Sequence, residues 1–265
     1  MTRPMKASEE NAMVDSLDGR IRCLLQEELG FELGAFPAKG VHVRASVKRV
    51  DEHWKRLKAV RIGDSAVVTC LPSLLDTITP AIQSMTTWEL FSPLGEAELR
   101  RALGPEVGKE LFHGLQYVLS DRGSFRPART PHTPRPLGKD DIPSAQHVLR
   151  MSERRRPVRD DFIWAFACYR NSENVSASDL AEFGRQCVSI AIVIWNEGQG
   201  IATYGLGTHE GYRGQGYALA NMTAATDYVL EQGGVAYYEA AVTNIPSLRI
   251  PRRLGFTFAW QEMRA

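Results

Sequence analysis

One stretch constrains this chain more than any other: Leu206-Gly207-Thr208-His209-Glu210-Gly211-Tyr212-Arg213-Gly214-Gln215-Gly216-Tyr217-Ala218. An alternating apolar run precedes it and helically spaced apolar residues follow, so it reads as strand, glycine-rich turn, helix. Such a turn aims several backbone N–H groups at one point, with the positive end of the helix dipole behind them. A phosphate or pyrophosphate suits that arrangement, which points to a nucleotide-like cofactor. From the residues alone, a structural turn that binds nothing competes with a dinucleotide fold. The dinucleotide motif needs G-x-G-x-x-G directly after a strand and an acid about 20 residues later. Glu239 lies at that distance. Leu219, however, fills the third glycine position, and several residues separate the strand from Gly214.

The elements around the turn follow from periodicity and breakers. Cys187 to Trp195 predicts a strand that turns through Asn196-Glu197-Gly198-Gln199-Gly200 into a second strand, Ile201 to Thr208. After the turn, Leu219, Met222, Ala225, Val229 and Leu230 give a helix from Tyr217 to Gln232 its buried face, and Gly233-Gly234 stops it. Val235 to Thr243 reads as a strand, Ser247 to Leu254 as a short helix and Phe256 to Trp260 as a final strand. Upstream, Asp140 or Asp141 can cap a helix through Ser144, His147 and Leu149. The apolar run Phe162 to Tyr169 fits either helix or strand.

The first half carries no nameable catalytic motif. It predicts a helix from about Leu17 to Leu29 and a strand from Val41 to Val47. A strand pair follows from Val60 to Cys70, then helices at Pro72–Met85 and Gly95–Leu103, and a strand at Leu115–Leu119. The segment Gly123 to Pro136 holds four prolines and several arginines, and reads as a linker. The expected division is an N-terminal α+β domain over 1–130 and a second domain over 131–265.

Bulk properties narrow the function classes. With 265 residues, 43% hydrophobic, and a net charge of +1, the chain supports one large domain or two small ones. That charge gives no reason to expect a nucleic-acid partner. No apolar run approaches the roughly 20 residues that cross a bilayer, and the N-terminus lacks a signal-peptide core. A cytoplasmic location is expected. Cys23, Cys70, Cys168 and Cys187 are scattered, so neither a disulfide scaffold nor a zinc site is expected, and no metal is.

The turn and the segment after it also carry a family resemblance. Arg213-Gly214-Gln215-Gly216-Tyr217-Ala218 resembles the pyrophosphate loop of the GNAT superfamily of acyl-CoA-dependent N-acyltransferases. That loop runs Arg or Gln, two residues, Gly, one residue, Gly or Ala. Asn244-Ile245-Pro246-Ser247, followed by Leu254-Gly255-Phe256, resembles the family's second motif. The resemblance covers about residues 132–265. It implies a mixed α/β (α+β) fold with a mostly antiparallel sheet flanked by helices, here preceded by a smaller α+β domain.

The same resemblance implies a chemistry. Acetyl-CoA, or another acyl-CoA, would be the cosubstrate. Gly207 and Thr208 would pair with the pantetheine amides as an added strand. Backbone N–H groups of Arg213, Gly214, Gln215, Gly216, Tyr217 and Ala218 would hold the pyrophosphate, with glycine needed so that no Cβ blocks the approach. Asn244 and Ser247 would meet the pantetheine arm. The acceptor would be an amine on a small molecule or a protein. Family members often carry a tyrosine acid four residues before the Gly of Leu-Gly-Phe; here that position is Pro251, which cannot donate a proton. Glu239 is the candidate base, with Tyr238, Tyr212, Ser247 and His209 as alternative donors. A non-catalytic acyl-CoA-binding module and other thioester chemistry remain alternatives. Homodimerisation is an open role for the first half.

Overall fold

The computed structural model describes residues 19–30, 39–46, 56–137, 162–169, 187–196 and 198–265. The chain packs as two compact units. Unit 1 gathers residues up to Gln116 with Ala240–Thr243 and Phe258–Ala265; unit 2 gathers Tyr117–Glu239 with Asn244–Thr257.

Unit 1 holds helix α1 (Gly19–Leu29) and strands β1 (Gly40–Ala45), β2 (Leu57–Ile62) and β3 (Ser65–Cys70). It continues with helices α2 (Leu75–Ile82), α3 (Thr87–Leu90) and α4 (Pro93–Gly108). It also takes the first part of β4 (Phe112–Leu119) and most of β10 (Thr257–Arg264). The expected turn at Gly63-Asp64 joins β2 to β3 in an antiparallel pair; β1 adds to β3 in parallel and β10 to β2 antiparallel. Every residue of β3 is buried, as befits a strand covered on both faces. Thr86 and Glu89 form a capping box on α3. Ser92 caps α4 by accepting from Leu94 N–H, with Pro93 in the first turn. The cap starts α4 ahead of the apolar spacing that predicted it, and Gly104, at φ 79°, breaks it before Pro105.

Two polar clusters lie inside unit 1. Glu262 accepts from Arg264 Nη1 at 2.8 Å, from Lys58 Nζ at 3.1 Å and from Trp260 Nε1 at 3.2 Å, and Lys58 also pairs with Glu28. Burial alone would push the Glu262 carboxyl up, but Lys58 and Arg264 hold it below the usual range. Burial would lower Lys58, yet Glu262 and Glu28 raise it. In the second cluster, His113 Nδ1 lies 3.3 Å from Glu96 Oε2 and its Nε2 lies 2.9 Å from the Gln261 amide nitrogen. An amide nitrogen donates, so Nε2 accepts and Nδ1 carries the proton. Burial lowers the His113 pKa; Arg61 adds to this, and Glu96 opposes it without reversing it. A lowered folded pKa gives stability that is full above the ordinary 6.5 and is lost as pH falls from there through the folded value. Urea midpoints taken at about pH 7.5 and pH 5.5 are expected to fall more in the native protein than in His113→Asn. Equal falls would remove His113 as the cause.

Unit 2 holds the remainder of β4, then β5 (Arg135–Leu137), β6 (Phe162–Tyr169), β7 (Cys187–Asn196) and β8 (Ile201–Thr208). Helix α5 (Tyr217–Glu231), the first part of β9 (Val235–Ala241) and helix α6 (Ile245–Arg253) complete it. The sheet order is β9-β8-β7-β6-β5, with β8–β9 parallel and the other pairs antiparallel. The ambiguous run Phe162 to Tyr169 is therefore a strand, paired along its length with β7. The hairpin closes as expected, with Gly200 N–H bonded to Asn196 O at 2.9 Å. Helix α5 buries Tyr217, Ala220, Met222, Ala225, Val229 and Leu230. It ends with Gly234 N–H reaching Val229 O and Gly233 N–H reaching Leu230 O, Gly233 being at φ 71°. The mixed α/β class with a mostly antiparallel sheet flanked by helices holds. The expected helix through Ser144, His147 and Leu149 and the polar residues 1–18 lie outside the described residues. No described helix is long and apolar enough to cross a membrane.

Candidate functional site

The glycine turn sits between β8 and α5, within unit 2. A short 3-10 turn, Glu210–Tyr212, leads out of β8. Tyr212 N–H returns to His209 O and Arg213 N–H to Glu210 O. From there the chain enters α5 through two left-handed glycines, Gly214 at φ 76° and Gly216 at φ 91°. A Cβ at Gly214 would meet nothing within 4 Å, and one at Gly216 would meet the His132 ring at 3.8 Å. Crowding inside the protein therefore does not select glycine here; backbone conformation does. The open space at Gly214 is the side from which a bound group could approach.

The first hydrogen bond of α5 runs from Ala220 N–H to Gly216 O. The earlier N–H groups of the helix have no acceptor within it, and Gly216 supplies no side-chain cap. The turn thus gathers amide donors at the positive end of a long helix, an arrangement chemically suited to an anion.

Well ahead of this turn, β8 parts from β9. Their parallel pairing covers Ile201↔Val235 and Ala202↔Ala236, while β8 stays paired with β7 through Thr208. The C-terminal end of β8 is held by a buried network. Ser189 Oγ donates to Gly207 O at 3.0 Å and lies 2.8 Å from Thr208 Oγ1. Asn221 Nδ2 donates to Ser189 Oγ at 3.1 Å, and its Oδ1 accepts from Cys168 Sγ at 3.2 Å. Ser189 has one proton, used on Gly207 O, so Thr208 donates to it. Ser189 and Asn221 are fully buried. They fasten the strand end and the helix to β7, and neither stands out in sequence because they meet only through packing.

The other sequence candidates fall as follows. Arg213 is exposed, and its Nε reaches Thr208 O at 3.4 Å. Gln215 Nε2 donates to Gly211 O at 3.1 Å. Tyr217 and Ala218 open α5. Asn244 caps α6 through Oδ1, which accepts from Ser247 N–H at 3.3 Å; its side-chain NH2 is the half suited to donate onward. Pro251 is buried within α6, and the helix forms around it. Glu239 is half-buried on β9, beyond the point where the pairing with β8 ends. Tyr238 is buried with its ring edge-on to Phe256, whereas Tyr212 and His209 stay on the loop in edge contact with each other. His132, which sequence reasoning did not single out, stacks on Tyr217 with ring centroids 3.6 Å apart.

Burial pushes the thiols of Cys168 and Cys187 up to about 12 and also raises Cys70. A thiol with such a pKa is not a nucleophilic thiolate near neutrality. Titration of the folded protein with Ellman's reagent at about pH 8 is expected to modify exposed Cys23 quickly and the three buried thiols only after denaturation. Rapid labelling of Cys168 without denaturant would contradict the packing. Among the described residues, no group of three or more His, Cys, Asp or Glu side chains could hold a metal ion.

Residues 146–256 match the sequence model of the family described as Acetyltransferase (GNAT) family. No curated protein matches the chain. Among solved structures, a putative GNAT-family acetyltransferase from Novosphingobium aromaticivorans is 16% identical, with a TM-score of 0.45 over 58% of this chain and 63% of that one. A GCN5-related N-acetyltransferase from Kribbella flavida is also 16% identical, with a TM-score of 0.41 over 57% of this chain and 56% of that one. The matched region thus spans less than two thirds of either structure. The sequence match carries the assignment, and it falls on the strands, glycine turn and α6 described above: residues 146–256 belong to the GNAT superfamily of acetyltransferases.

Proposed function

We propose that this protein transfers an acyl group, acetyl by default, from acyl-CoA to an amine. The observation that supports this most is the α5 N-terminus, entered through two left-handed glycines and following the stretch of β8 that no longer pairs with β9. Amides of Gly214, Gln215, Gly216, Tyr217 and Ala218 would hold the pyrophosphate. Arg213 would add its guanidinium, because its own N–H is used by Glu210 O. The diverging edge of β8 at Gly207 and Thr208 would take the pantetheine arm as an added strand. Asn244 would donate to that arm, with Ser247 beside it.

In the reaction, a neutral amine attacks the thioester carbon. A backbone N–H on β8 stabilises the charge that develops on oxygen. The new C–N bond forms, the C–S bond breaks, and the amine proton passes to a base, for which Glu239 is the candidate. Pro251 cannot protonate the departing sulfur. A thiolate of ordinary pKa near 8.5 can leave without a dedicated acid.

We place catalysis in residues 131–265 and an accessory role, covering the acceptor or pairing two copies, in residues 1–130. Residues 240–243 and 258–265 pack with the first compact unit, so this division follows the resemblance rather than packing. Four free cysteines suit a reducing compartment, and we assign the protein to the cytoplasm. The deciding experiment is thiol release from acetyl-CoA with a panel of amines, no nucleic acid or membrane being supplied. Amine-dependent release supports the reading. Pro251 favours one alternative, a binding module, which tight coenzyme A binding without turnover on any amine would establish. Acyl loss without transfer would indicate different thioester chemistry.

A further inference from the structure

His132 lies far from the glycine turn in sequence, in the proline-rich stretch Pro131-His132-Thr133-Pro134. In unit 2 it meets the turn at three points. Its ring lies flat on Tyr217, the first residue of α5, at 3.6 Å between centroids and 19° between planes. Its Nε2 is 2.8 Å from the carbonyl oxygen of Gln215. Its ring edge borders the position a Cβ would take on Gly216. A carbonyl oxygen only accepts, so Nε2 carries the proton and donates. The His132 backbone is itself braced by Thr130 Oγ1, which donates to His132 O at 3.2 Å and accepts from His132 N–H at 3.4 Å.

The Gln215 carbonyl and the Gly216 N–H belong to one peptide group, and no peptide bond described is cis. In a trans peptide the two point in opposite directions. Fixing the oxygen toward His132 therefore turns the Gly216 N–H to the other side of the turn. Glycine at 216 leaves that peptide free to rotate, since φ of either sign is accessible. A flipped peptide would present an oxygen where the turn now presents a donor.

We infer that His132 is a positioning residue for the anion site: it latches the Gln215–Gly216 peptide so that the Gly216 amide faces the pyrophosphate of the cosubstrate. This rests on the acyl-CoA reading above and adds a residue from outside the glycine motif to it. His132 does not touch the reacting atoms. Its effect should appear only with ligands that carry a pyrophosphate.

The test compares the native protein with His132→Phe, which keeps the stack and loses the donor, and His132→Gln, which offers an amide donor. Coenzyme A affinity by calorimetry is expected to fall about tenfold in the Phe variant, the scale of one hydrogen bond, and to recover in the Gln variant. KM for acetyl-CoA should rise with kcat unchanged. Turnover of S-acetylpantetheine, which has no pyrophosphate, should not change. Unaltered coenzyme A affinity in the Phe variant overturns the inference while leaving the acyl-CoA reading intact. Equal losses on acetyl-CoA and S-acetylpantetheine, as a distorted fold would give, also overturn it. Failure of the native protein to bind coenzyme A overturns the acyl-CoA reading and this inference with it.

Discussion

Gly216→Asp is expected to abolish coenzyme A binding while leaving the protein folded. Gly216 sits at φ 91° at the start of α5, and aspartate tolerates that left-handed conformation better than most residues. The new carboxylate would stand among the amides proposed to hold pyrophosphate. One like-charge contact at about 4 Å costs roughly 4 kcal/mol at an effective dielectric near 20, about a thousandfold in affinity. Gly216→Asn is the control, with nearly the same shape and no charge. It should lose binding through bulk alone, at least about tenfold less than Asp loses. Calorimetry with coenzyme A reads both, and circular dichroism confirms the fold. Asp and Asn variants of equal affinity would remove the charge argument, and native affinity in both would remove the site.

The second large effect concerns stability. Glu262→Gln is expected to destabilise the protein by about 3–5 kcal/mol, the scale of breaking a buried ion pair by removing one partner. Glu262 is 1% exposed, Lys58 2% and Arg264 7%. With Glu28 the four charges sum to zero, two positive and two negative. Removing the Glu262 carboxylate takes from Lys58 and Arg264 the buried anion that both contact. Replacing Lys58, Glu262 and Arg264 together by methionine or leucine should recover most of the loss, because no uncompensated cation then remains. Urea denaturation followed by circular dichroism measures this. A loss under about 1 kcal/mol in the single variant would show that water or rearrangement screens the cluster.

Local chemistry made much of unit 2 readable. The Cys187 to Thr208 hairpin, the helix opened by Gly216 and closed at Gly233, and α6 after Asn244 all carry their own breakers and caps. Phe162 to Tyr169 had no such punctuation, since a continuous apolar run lacks the period that separates helix from strand. Pairing partners were equally hidden: nothing in Gln261–Arg264 announces that they line up with Lys58–Arg61. The glycine motif displayed the turn, but not what steadies it. His132 is 83 positions from Gln215, and Asn221 is 32 from Ser189. A lone histidine among prolines and an asparagine on an apolar helix face acquire meaning only when the fold brings them to a partner. Conversely, the arginine in the motif suggested an amide donor that the 3-10 turn already uses.

The early parting of β8 from β9 leaves β8 beyond Ala202 with a strand edge that β9 does not cover. Strand edges are templates on which other chains can pair. Under the proposed reading, the pantetheine arm lies along this edge, so the cosubstrate doubles as a cap against misassembly. Mass action then adds stability of about 2.7 kcal/mol when the ligand stands a hundredfold above its Kd. A cell short of acyl-CoA would slow this protein and also expose more of it to aggregation and proteolysis, tying its abundance to metabolic supply.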